Sequence, residues 1–140
     1  MRHRVAAAGL QDAIVIESAG TGSWHIGHPP DARASAEARA RGVEMTGRAR
    51  QFHSGDVARP AVIAFADGRT LADLRALAPD PTSASRVRLL REFAPTATGD
   101  LSVPDPYYGG IDGFTDVFDM VDRACQGLLE HLRAGMPAGA

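Results

Sequence analysis

A chain of 140 residues is long enough for one domain, residues 1–140, with a single sizeable core. Its 44% hydrophobic and 23% charged content is ordinary for a globular protein, and a net charge of −2 gives no reason to expect nucleic acid or a membrane surface as partner. No apolar run approaches the roughly 18 residues of a membrane span, and the one cysteine excludes an intramolecular disulfide framework and fits a reducing cytoplasm.

Residues 2–8 have helical composition and stop at Gly9, a C-terminal cap, but no capping residue opens this helix. Ala13-Ile14-Val15-Ile16-Glu17-Ser18 is β-branched and apolar and predicts a buried strand. A long loop over 20–30 follows, and Asp31 predicts the N-cap of a helix to about Arg41, with Gly42 just past its end. Residues 43–59 are mixed and polar, a short turn and irregular chain. Pro60–Ala66 predicts a second buried strand, and Leu71, Leu74 and Leu77 mark a helix from Thr70 to Ala78. After the Pro79-Asp80-Pro81 break, Val87–Leu90 predicts a third strand. Residues 94–110 form a loop, and a helix over 112–133 carries an apolar stripe of Phe114, Val117, Phe118, Val121, Cys125, Leu128, Leu129 and Leu132. Strands alternating with helices predict a three-layer α/β domain with a parallel sheet. Ligands in such folds collect at the carboxyl ends of the strands, where the loops at 19–30, 67–69 and 94–110 are expected to meet.

Chemistry concentrates in the loop Val103-Pro104-Asp105-Pro106-Tyr107-Tyr108-Gly109-Gly110. Pro104 and Pro106 each fix their own φ, and Pro106 pushes Asp105 away from helical geometry. A carboxylate on a stiff extended loop, with two aromatic rings beside it, has the form of a general acid; a proline-rich turn is the plainer alternative. Trp24, the only tryptophan, either packs on its loop or lines a pocket for an aromatic substrate. Tyr107 and Tyr108 are packing residues, pocket walls or exposed hydroxyls open to phosphorylation. Gly20-x-Gly22 fails as a dinucleotide fingerprint because position 25 is His25, not glycine. His25 and His28 lack the companions of a metal site, so neither metal nor cofactor is expected. Cys125, on the apolar stripe, has the setting of a small core hydrophobe rather than a nucleophile.

The chain resembles the low-molecular-weight protein-tyrosine phosphatase family. Ser18-Ala19-Gly20-Thr21, Trp24-His25-Ile26-Gly27, Pro30-Asp31, Ala34 to Gly42, Arg48-Ala49-Arg50-Gln51 and Leu71-Ala72-Asp73-Leu74 carry the resemblance through the first half of the chain. Val103 to Gly110 and Cys125-x-Gly127-Leu128-Leu129 carry it to near the C-terminus. It implies a flavodoxin-like or Rossmann-like phosphotyrosine phosphatase I fold, and metal-free hydrolysis of phosphotyrosine esters through a cysteinyl-phosphate. A phosphotyrosine protein or a small aryl phosphate would be the substrate, and the oligomeric state is left open. Asp105 matches the family's general acid, and Trp24, Tyr107 and Tyr108 match positions that flank the substrate ring.

The family's nucleophile sits in a Cys-x5-Arg loop that cradles the phosphate with backbone N–H groups, and this sequence contains no such motif. Six residues beyond Cys125 stands His131. By resemblance Met1 falls inside the family's first helix, so the chain is expected to be N-terminally truncated, to lack the first strand, and to leave an open groove between that strand's neighbours. Acid catalysis alone contributes about 10²–10⁴-fold, far short of an enzyme's acceleration, so residues 1–140 are expected to be inactive by themselves. Two alternatives stand beside the phosphatase reading: a non-catalytic binding or regulatory remnant, and an arsenate-reducing relative, which would call for further redox cysteines.

Overall fold

The computed structural model describes residues 1–20, 24–57, 62–66, 71–76, 78–105 and 111–137. Its longest element is α5 (Ile111–Ala134), whose apolar stripe is the one written in the sequence. Phe114, Cys125, Leu128 and Leu129 are buried, as is Ala124 between the stripe's members. Helix α1 (Arg2–Ala7) and helix α2 (Ala32–Ala40) pack on α5. Val5 and Ala38 are their buried residues.

Ion pairs at the rims set the registers. Arg4 Nε donates to Asp122 Oδ1 at 2.8 Å, tying α1 to α5. From the end of α2, Arg41 pairs with Glu37 and Asp119 and lays its guanidinium 4.7 Å from the centre of the Phe118 ring. The Asp31 carboxylate caps α2, accepting from Arg33 N at 2.8 Å and Ala34 N at 3.3 Å.

Strand β1 (Ile63–Phe65) pairs in parallel with β2 (Val87–Leu89), Ile63 opposite Val87 and Phe65 opposite Leu89. The crossover between them holds two helices, α3 (Leu71–Ala76) and α4 (Pro81–Ser85). Leu74 of α3 packs on Ile63 and Val87 to form a second small core, edged by Phe52, Phe65, Leu71 and Ala78. Arg75 clamps α3 to the sheet, donating from Nε and NH2 to the Val87 carbonyl at 3.1 and 2.9 Å. The expected break at Pro79-Asp80-Pro81 separates α3 from a further helix that the sequence did not suggest, α4, which it also starts: Asp80 accepts from Ser83 N at 2.7 Å, and Pro81 sits where a helix needs no N–H.

A single turn of 3₁₀ helix, Leu90–Phe93, carries the chain from β2 onto α5, and it takes Leu90 out of the expected strand. Phe93 is buried there, and the backbone passes so close to α5 that only glycine fits opposite. A Cβ on Gly127 would lie 1.7 Å from the Phe93 carbonyl oxygen.

One predicted strand does not form. Ala13–Ser18 pairs with no strand among the described residues, and Val15 is 82% exposed. A β-branched run becomes a strand only when a neighbour takes its amides and carbonyls, and here the Ile16 carbonyl accepts instead from the Arg2 guanidinium, at 2.9 and 3.1 Å. The segment's contribution to pairing is one isolated parallel bridge just beyond it, Gly20 to Gln51. The expected Pro60–Ala66 and Val87–Leu90 strands are real but shorter, three residues each.

Candidate active site

The Asp105 loop is held by two tethers. Arg91, on the 3₁₀ turn, donates from NH1 to the carbonyls of Asp100 and Ser102, at 3.0 and 3.1 Å. One residue on, Val103 N donates to the Ala66 carbonyl at 2.6 Å, directly past the carboxyl end of β1. Asp100 tightens the turn by accepting from Ser102 N at 2.9 Å. Asp105 follows two residues after the second tether, with its side chain exposed. Exposure suits an acid that must reach a bound substrate.

Trp24 is 81% exposed. Its turn, closed by Gly27 at φ 81°, is zipped to the segment 49–52. Gly27 N donates to the Ala49 carbonyl at 2.8 Å and Ala49 N to the His28 carbonyl at 2.9 Å. Gly20 N donates to the Arg50 carbonyl at 2.9 Å, and Phe52 N to the Gly20 carbonyl at 2.7 Å. At the end of this zipper the Phe52 ring meets Phe65 of β1 edge-on, centroids 5.9 Å apart. The Trp24 turn and the Asp105 loop are thus both anchored at the carboxyl end of β1, the first through Phe52 and Phe65, the second through Ala66.

Three other features of the sequence find their places. Tyr107 and Tyr108 lie outside the described residues. The His25 and His28 rings meet at a tilt of 55°, centroids 5.5 Å apart, and no group of three or more potential metal ligands occurs among the described residues. Cys125 is buried mid-helix in α5. Two shallow grooves among the described residues lie elsewhere, both against α1. One is lined by His3, Arg4, Arg41, Phe118 and Asp122, and the other includes Val5, Ile14 and Val15; neither contains Trp24 or Asp105.

Arg50 braces the zipper, bonding Asp56 at 3.0 Å and reaching Glu17 at 3.5 Å. The Asp56 carboxyl is held below the ordinary carboxylate range by the Arg50 hydrogen bond first and by the His53 N–H second. Sequence reasoning singled out neither Arg91 nor Phe52. Both act through partners far along the chain, for which local spacing carries no signal.

A parallel β pair with a helical crossover, and loops gathered at its carboxyl end, defines an α/β protein of the kind that binds ligands at that edge. The chain belongs to the low molecular weight phosphotyrosine protein phosphatase family, whose model matches residues 1–137. It is 44% identical over 133 residues to a low molecular weight protein-tyrosine-phosphatase of Streptomyces coelicolor, covering 94% of this chain and 81% of the relative. To low molecular weight protein-tyrosine phosphatase A of Mycobacterium tuberculosis it is 40% identical, covering 91% and 74%. Among solved structures, a protein tyrosine phosphatase from Entamoeba histolytica with Hepes in its active site superposes with a TM-score of 0.88 at 28% identity, covering 96% of this chain and 85% of the other. The fold is therefore the family's flavodoxin-like α/β fold, and the chain is by family a phosphoric monoester hydrolase. Among the described residues no helix is long and apolar enough to cross a membrane.

Proposed function

We propose that this chain carries the acid half of a protein-tyrosine phosphatase: Asp105 donates a proton to the leaving phenolate of an aryl phosphate, and Trp24, Tyr107 and Tyr108 flank the substrate ring. The observation that carries the reading is the double tether of the Asp105 loop, by Arg91 and by Ala66, which holds an exposed carboxylate just past the carboxyl end of β1. An acid held near its working position spends less entropy in reaching its transition-state geometry. Family membership supports the reaction class, a phosphotyrosine protein or small aryl phosphate as substrate, and a reaction without cofactor.

The nucleophile half is not in these 140 residues. The sequence holds no Cys-x5-Arg, and Cys125 is buried in a helix whose amides are already bonded. Phosphoryl transfer depends on positioning and on charge stabilisation at the phosphate, which a carboxylate alone cannot supply. Residues 1–140 by themselves therefore do not turn over aryl phosphates. The test is an assay of the purified chain with p-nitrophenyl phosphate at enzyme concentrations that would reveal turnover a thousandfold below a working phosphatase's. Release of p-nitrophenol that is lost in Cys125→Ser would overturn the assignment, because it would make Cys125 the nucleophile.

A further inference from the structure

We infer that Arg48 is a specificity residue, which selects polypeptide substrates carrying acidic side chains beside the phosphotyrosine. The inference rests on the reading of Trp24 as a residue that flanks the substrate ring.

Two arginines bracket Ala49 in the zipper and use their charges differently. Arg50 meets two carboxylates, Asp56 and Glu17, and is neutralised within the fold. Arg48 donates from NH1 to the carbonyl of Gly27 at 3.1 Å and forms no ion pair with any described carboxylate. A carbonyl orients a guanidinium without cancelling its charge. Arg48 is exposed, so no burial opposes the cation.

Position gives that charge a use. Gly27 closes the turn that begins at Trp24, and its N–H is itself bonded to Ala49, so Arg48 is fastened to the Trp24 turn by side chain and by the adjoining backbone. On the same turn Ile26 is 51% exposed, adding apolar surface to it. A polypeptide whose tyrosine ring lies against Trp24 would run its neighbouring residues past this turn. Glutamate or aspartate there meets a pre-oriented guanidinium able to bind a carboxylate. Because the pair is solvent-exposed, the preference is modest and salt-sensitive, about two- to fivefold at low ionic strength.

The experiment uses the 140-residue chain and labelled tyrosine peptides flanked by either glutamate or glutamine, each made with and without the phosphate. Peptide anisotropy reads affinity, and the emission of Trp24, the sole tryptophan, reads whether the ring is covered. Wild type is expected to prefer the glutamate peptides about two- to fivefold, Arg48→Gln to lose the preference, and Arg48→Glu to reverse it. Equal affinity of wild type for glutamate and glutamine peptides, or a preference that survives in Arg48→Gln, overturns the inference. The Trp24 reading has its own readout: peptides that bind with the Arg48-dependent preference yet leave the emission unchanged refute Trp24 as a ring-flanking residue while Arg48 stands as an acid-reading one. Matching unfolding midpoints of wild type and variants would show that no change arises from misfolding.

Discussion

Val103 donates its N–H to the carbonyl of Ala66 across 2.6 Å, joining the loop of the candidate acid to the residue that follows β1. Two residues later comes Asp105, so this one bond sets where the carboxylate can travel. A backbone hydrogen bond contributes about 1 kcal/mol net, enough to hold a loop but not to freeze it. The Val103 amide is therefore expected to exchange with solvent roughly fivefold more slowly than a free-chain amide. Exchange at the free-chain rate would mean the tether is broken in solution.

Gly127 is the position where α5 and the Leu90–Phe93 turn touch, backbone against helix. Alanine would gain about 1 kcal/mol of helix propensity over glycine. Against that stands a Cβ 1.7 Å from a carbonyl oxygen, a clash with backbone that no rotamer relieves. Overpacking of this kind costs typically about 1–3 kcal/mol and more where the backbone must move. On that scale Gly127→Ala is expected to lower stability by about 2 kcal/mol or more in urea unfolding. A midpoint equal to or above the wild type's would refute the close approach.

Acid should loosen the junction of α1 and α5. Asp122 is held below the ordinary carboxylate range, first by the hydrogen bond from Arg4. A carboxyl with a depressed folded pKa stabilises above its unfolded value and loses that contribution as pH falls through the folded one. Both partners are partly exposed, so the pair contributes about 0.5 kcal/mol. Asp122→Asn is expected to be less stable than wild type near pH 7, with the two converging in acid below the usual carboxylate range. A gap that stays constant across that range would show that the substitution does harm for reasons other than charge. Asp31, Asp56 and Asp80 are depressed in the same direction, so overall stability also falls on the acid side.

A gain of function would test the acid itself. Joining a Cys-x5-Arg phosphate loop, the nucleophile motif of the family, to residues 1–140 should create aryl phosphatase activity. In the graft, Asp105→Asn is expected to slow hydrolysis of phenyl phosphate about 10²-fold or more, and that of p-nitrophenyl phosphate much less, since a good leaving group needs little protonation. Equal losses on both esters would remove Asp105 from the acid role.

Much of the architecture was legible because it depends on neighbours along the chain. The stripe on α5 recurs at helical spacing, and Asp31 stands where an N-cap oxygen reaches the second and third amides. The pair β1 and β2 falls within the β-branched runs, and Asp105 was marked by the prolines on either side. The misses have two causes. The helix α4 went unread because Asp80 and Pro81, which do mark a break, belong to residue types that serve loops and helix starts alike. Ala13–Ser18 looks like a strand because its composition suits one, yet composition says nothing about whether a partner edge is present.

By itself the sequence determined the amphipathic helix, the caps, the family and the stiff loop that bears Asp105, all properties of local order and residue type. Only the tertiary structure decided that Ala66 and Arg91 hold that loop, that Phe52 and Phe65 bring the Trp24 turn to the same end of β1, and that among the described carboxylates two pair with Arg50 and none with Arg48. Those outcomes depend on which distant groups meet, and hydrogen bonds, ring contacts and charge compensation act over a few ångströms of space regardless of separation along the chain.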